Sequence, residues 1–83
     1  MSKSGPNPQR LDLRGYLCPL PVIRLEAALR KAPEGAIFEV FADDPVAAVD
    51  IPFYCRQAGH QVERLPDQGQ SCVFQVTAAP KPA

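Results

Sequence analysis

The run Gly15-Tyr16-Leu17-Cys18-Pro19-Leu20-Pro21-Val22 constrains this chain more than any other segment. Proline has no N–H to donate, so two prolines one residue apart are at home where a helix begins and the first N–H groups lack intrahelical partners. A residue before proline avoids the α region, which places the helix start at Pro19 or at Pro21 and leaves Cys18 on the turn or the cap. A helix N-terminus carries partial positive charge, and a thiol held there tends to ionise. The segment therefore predicts a stiffly presented, nucleophilic Cys18. The competing reading is a buried cysteine beside a rigid helix start.

The rest of the chain supplies elements around this motif. Arg10-Leu11-Asp12-Leu13-Arg14 alternates and reads as a short strand with Leu11 and Leu13 toward the core. From Pro21 to Lys31 the spacing is helical, with Val22, Leu25 and Leu29 on one face and Ile23 and Ala27 alongside; Pro33 and Gly35 stop it. Ala36–Ala42 is apolar on both faces except Glu39, as a central strand should be. Asp44 with Pro45 marks a second helix start. Pro52 argues against an unbroken helix, so the expectation is a turn over 45–49 and then a helix from Ile51 to Ala58, capped by Asp50 and closed by Gly59. Strands over Gln61–Leu65 and Ser71–Thr77 flank a hairpin loop at 66–70. The order β-α-β-α-β-β, with right-handed crossovers, predicts a two-layer α/β (α+β) sandwich: two helices on one face of a four-stranded mixed sheet.

Eighty-three residues make one domain, expected over 9–77 between loose tails at 1–8 and 78–83 that are rich in proline and small residues. Nine basic residues balance nine acidic ones, which argues against a general nucleic-acid binder. The first eight residues lack the apolar run of a signal peptide and no stretch reaches the length of a membrane span, so a cytoplasmic location is expected. Three widely spaced cysteines do not form a disulfide framework, and free thiols suit a reducing compartment.

Leu11-Asp12-Leu13-Arg14-Gly15 leading into Cys18-Pro19-Leu20-Pro21, then Ala42-Asp43-Asp44-Pro45, Asp50-Ile51-Pro52, Phe53-Tyr54-Cys55 and Gly59-His60, resembles the TusA/SirA-like sulfur-carrier family from about Leu11 to Thr77. The resemblance implies the same β-α-β-α-β-β sandwich. It also implies that Cys18 accepts sulfane sulfur as a persulfide from a donor such as a cysteine desulfurase or rhodanese, and relays it to an acceptor protein, with Pro19, Leu20 and Pro21 shaping the site. Such a chain is both a carrier and a sulfurtransferase component that docks two partners; no closely spaced metal-ligand pair is present, no cofactor is expected, and a monomer is the default expectation for a small carrier that docks transiently. The destinations open to it are tRNA thiolation, molybdenum-cofactor maturation and sulfur oxidation. The position filled by Leu20 is often glutamate in the family's tRNA-thiolation members, so Leu20 removes an anion beside the sulfur and points away from that pathway.

Other candidates have plainer readings. The N–H groups of Leu20, Val22 and Ile23 could hold a persulfide anion, and Arg14 and Arg24 could add positive potential, although solvated surface charge suits both arginines better. Cys55 and Cys72 read as small buried hydrophobes. His60, after the closing glycine, reads as structural rather than as a proton shuttle. Asp43, Asp44 and Asp50 read as caps rather than as a catalytic cluster. Rival functions are a regulatory module that binds partners without persulfide chemistry, a redox protein pairing Cys18 with Cys55 or Cys72, and, most weakly, nucleic-acid binding.

Overall fold

The computed structural model describes residues 8–79, so most of both expected tails lies outside the described residues. Six elements follow the expected order: β1 (Gln9–Asp12), α1 (Leu20–Lys31), β2 (Ile37–Ala42), α2 (Ala47–Ala58), β3 (Gln61–Gln68) and β4 (Ser71–Thr77). Across the sheet the strands run β1-β2-β4-β3. β1 lies parallel to β2 with Leu11 opposite Val40, while β4 is antiparallel to both neighbours, with Phe74 opposite Val40 and Val73 opposite Leu65. β4 thus enters between the two strands that α2 connects.

Alternation along the two central strands decides where the core sits. Phe38, Val40 and Ala42 of β2 and Cys72, Phe74 and Val76 of β4 share one face, and against it pack Leu25 and Leu29 of α1 and Ala47, Ile51 and Cys55 of α2. Both helices therefore lie on one face of the mixed sheet, as expected. On the other face Phe41 is also buried, with the Arg10 guanidinium 4.1 Å from its ring centre. Past β4, Ala78 stays buried and bonded: its N–H donates to the Ala36 carbonyl and its carbonyl accepts from Gly35.

Several local expectations are corrected. In α1 the inward face is Pro21, Val22, Leu25 and Leu29 with Ala28 alongside, while Ile23 and Ala27 are exposed. β3 runs three residues beyond Leu65, with an irregularity between Leu65 and Gln68. The larger correction is α2, which is continuous from Ala47 across Pro52. The Val46 carbonyl already accepts from Val49 and Asp50, so the helix is turning before Asp50 and Asp50 caps nothing. Pro52 sits in the second turn, where its missing N–H forfeits only the bond to the Ala48 carbonyl. Full burial of Ile51 and Cys55 on either side of it holds the helix together. Gly59, at φ +87°, closes α2 as expected, with His60 N–H donating to the Cys55 carbonyl.

Candidate functional site

Cys18 lies in the loop between β1 and α1, one residue before the residue that caps the helix. Pro19 caps the helix, Leu20 is its first residue and Pro21 its second; the Cys18–Pro19 bond is cis. Pro21 is fully buried and pins the start of α1, whereas Leu17, Cys18, Pro19 and Leu20 are exposed.

Three aspartates from the far end of β2 and from α2 hold this loop. Asp43 Oδ1 accepts the N–H of Gly15 at 3.0 Å. Asp44 is buried and does two jobs: Oδ2 accepts the N–H of Cys18 at 2.8 Å, and Oδ1 accepts that of Val46 at 3.1 Å. Asp50 reaches back from the first turn of α2, and its Oδ2 accepts from the Cys18 thiol at 3.4 Å. Capping therefore describes only part of Asp44's role and none of Asp50's. The aspartates are separated from Cys18 by about two elements of chain, and nothing in the spacing of either segment alone announces the contact.

These groups reverse the expected electrostatics. The Cys18 thiol is pushed up from its ordinary value, first by its hydrogen bond to Asp50, then by desolvation, and then by the negative charges of Asp50 and Asp44. Two of the N–H groups at the helix start are bonded to backbone carbonyls, Leu20 to Leu17 and Ile23 to Pro19. The nearby cations are engaged too. Arg14 forms a two-point pair with Asp12, 2.8 and 2.7 Å, which holds the Asp12 carboxyl well below the usual carboxylate range. Arg24 lies 4.5 Å from the centre of the Tyr16 ring.

The family model "Sulfurtransferase TusA" matches residues 9–78, a span that takes in the Cys18 loop, the three aspartates and all six elements. The chain belongs to the TusA sulfurtransferase family. It is 41% identical over 54 residues to a protein of Neisseria meningitidis serogroup A named as a candidate sulfur carrier, covering 65% of this chain and 73% of the relative. A Bacillus subtilis protein, YrkI, similarly named, is 33% identical over 64 residues, 77% of this chain and 85% of the relative. In three dimensions the chain is similar to the crystal structure of a SirA-like protein from Desulfitobacterium hafniense, with a TM-score of 0.74, 25% identity, and coverage of 84% and 96% of the two chains.

Around Cys18 this TusA-family chain presents apolar surface. Among the described residues the exposed large hydrophobics are Leu17, Leu20, Ile23, Val46, Val49 and Phe53, all on the cysteine loop, the first turn of α1 or the stretch from the start of α2 to its middle. Between the two helices runs a groove of about 500 Å³, lined by Pro19, Val22, Ile23, Phe53, Tyr54, Gln57 and one charged residue, Asp50. This surface is not legible in the sequence, where the spacing puts Ile23 alongside the inward face and Pro52 makes 45–49 a turn.

The remaining candidates are structural. Cys55 is fully buried, and burial pushes its thiol up to about 11. Cys72 is buried with its thiol donating to the Ala42 carbonyl at 3.3 Å, and burial pushes it up as well. His60 Nδ1 accepts the N–H of Ala79 at 2.8 Å, which places the ring proton on the other nitrogen and ties the chain after β4 to the end of α2. All three cysteines are free thiols. Among the described residues no three His, Cys, Asp or Glu side chains gather closely enough to hold a metal ion, and no helix is long and apolar enough to cross a membrane.

Proposed function

We propose that this chain is a sulfur carrier that takes sulfane sulfur onto Cys18 as a persulfide and passes it to an acceptor protein. The observation that carries this reading is the placement of Cys18. It is the exposed thiol of the three, it stands ahead of a proline-stiffened helix start, and exposed Leu17 and Leu20 lie on either side of it in the chain. Pro19, Leu20 and Pro21 serve as supporting residues: Pro21 anchors the helix start, and Pro19 and Leu20 form surface beside the sulfur.

The transfer is thiol–disulfide chemistry in form. Cys18 sulfur attacks the terminal sulfur of a donor persulfide. A new S–S bond forms on Cys18, the donor's S–S bond breaks, and its electron pair remains on the donor sulfur as a thiolate. The proton lost by Cys18 balances the one the donor thiolate takes up. Hand-over is the same exchange with Cys18 as the leaving group. Donor and acceptor are proteins, the donor being of the cysteine-desulfurase or rhodanese type, and a reducing compartment such as the cytoplasm keeps the thiol available. Leu20 beside the sulfur favours an acceptor outside tRNA thiolation, in molybdenum-cofactor maturation or sulfur oxidation.

Intact-mass spectrometry without reductant, after incubation with a cysteine desulfurase and cysteine, tests the reading. The wild type gains one sulfur, reductant removes it, and Cys18→Ser gains none. A loss of two hydrogens instead would mark an internal disulfide and a redox protein.

A further inference from the structure

The chemistry proposed above meets an obstacle in this structure, and the obstacle specifies the partner. A carrier cysteine works as nucleophile in loading and as leaving group in hand-over. A thiol held protonated by carboxylates is poorer at both, because thiolate is the attacking form and a more basic thiolate leaves more slowly. The groups facing the sulfur are Asp50 from α2 and Asp44 from the loop before it, with Asp43 on the neighbouring Gly15 N–H; the first turn of α1 contributes no acid. Among the described residues no ion pair engages Asp50. Asp50 also lines the groove, together with Val22, Ile23, Phe53, Tyr54 and Gln57.

A mostly apolar trough with a single carboxylate in its lining has the chemistry of a receptor for a long cationic side chain. The methylenes of a lysine or arginine cover the walls, and the head group meets the acid. Arginine fits better, because its planar guanidinium also stacks on aromatic rings such as Phe53 and Tyr54. Resting on the relay reading above, we propose that the groove between α1 and α2 receives an arginine or lysine of the sulfur-exchange partner, and that its pairing with Asp50 frees Cys18 to react. A docked cation draws the carboxylate away from the thiol and offsets its charge, and the Cys18 proton then passes to solvent. The resulting thiolate attacks the partner's sulfur. In the reverse direction the same cation stabilises the leaving thiolate. Small anionic thiols and disulfides bring no such charge, so the carrier exchanges sulfur poorly with them and is selective for a partner with an apolar face that presents a basic side chain.

The test uses two small disulfides in place of a partner: the oxidised dimers of amidated Cys-Gly-Arg and amidated Cys-Gly-Glu. Each exchanges with Cys18 to give a mixed disulfide and one released peptide thiol, followed by intact mass. At low salt the wild type reacts with the arginine dimer about tenfold faster than with the glutamate dimer. In Asp50→Asn the preference falls several-fold, mainly because the glutamate dimer speeds up. Phe53→Ala, which keeps the acid but removes a groove wall, also weakens the preference. With unaltered protein, salt at about 0.5 M reduces it. A wild-type ratio near one, or one that Asp50→Asn leaves unchanged, overturns the proposal. Failure of the relay reading is a separate result, the absence of a sulfur gain on Cys18 from a persulfide donor.

Discussion

The thiol of Cys18 and the carboxylate of Asp50 lie 3.4 Å apart across a sequence separation of thirty-two residues. This contact favours the protonated form of the sulfur. A carboxylate that accepts the S–H proton stabilises the neutral form, and its negative charge destabilises the thiolate; both effects raise the pKa. The rate of iodoacetamide alkylation of Cys18, followed against pH by intact mass, should therefore rise with a midpoint above that of an ordinary cysteine. Asp50→Asn should move the midpoint down and make alkylation at pH 7.5 faster. An unchanged midpoint in the variant would show that the contact does not govern ionisation.

Asp44 has a different task and a different expected phenotype. Its carboxylate is buried and satisfies two backbone N–H groups, those of Cys18 and Val46. Asp44→Ala leaves both without an acceptor and should cost about 2 kcal/mol. For a domain of this size that corresponds to a fall of roughly 10 °C in Tm. Asp44→Asn keeps one acceptor oxygen and should lose about half as much. Urea denaturation of the three proteins measures the difference, and equal stability of wild type and Asp44→Ala would remove Asp44 as the clasp of the loop.

The sequence carried the order of elements well, because the signals were local. Leu11 and Leu13 alternate, Phe38 to Ala42 is apolar apart from Glu39, and Gly59 stands where a left-handed residue is needed to close a helix. The site was legible only in part. Cys18, Pro19 and Pro21 stand out by spacing, but Asp50 reads as a cap because acid-x-proline is a common helix start. Its real partner is set by the packing of α1 against α2, a non-local fact. The same error hid the exposed face of Val46, Val49 and Phe53, since a chain broken at Pro52 presents no continuous surface there. The sign of the shift at Cys18 is hidden for a related reason: a helix start predicts a lowered thiol pKa, and the two carboxylates that overturn it arrive from elsewhere in the chain.

Pro52 itself gives a stability expectation. It occupies the second turn of a continuous helix and leaves the Ala48 carbonyl without its helical donor. Pro52→Ala restores that N–H and replaces a poor helix former with the best one, while loosening the unfolded chain. The gain should outweigh the loss and raise stability by about 1 kcal/mol. A lower urea midpoint for Pro52→Ala would mean that the ring's own packing outweighs the missing bond.

Cys55 ties stability to alkaline pH in a direction that can be worked out. The thiol is fully buried, and its pKa in the folded protein stands at about 11 against an ordinary value of 9.0. Below pH 9 both folded and unfolded chains hold the proton, and the group adds no pH dependence. Between about 9 and 11 the unfolded chain releases it while the folded chain keeps it, so the unfolded state binds fewer protons and stability falls as pH rises. Above about 11 both forms are ionised and the loss levels off. Two units of separation correspond to about 2–3 kcal/mol. Cys72 and Tyr54 are also raised and add slope of the same sign, so the measurement must be a difference. Cys55→Ala starts less stable at pH 8 because it leaves a small cavity beside Ile51. The gap between variant and wild type should then narrow as the pH climbs to 11, because only the wild type loses the Cys55 contribution. Parallel curves for the two proteins from pH 8 to 11 would show that Cys55 ionises at the same pH folded and unfolded.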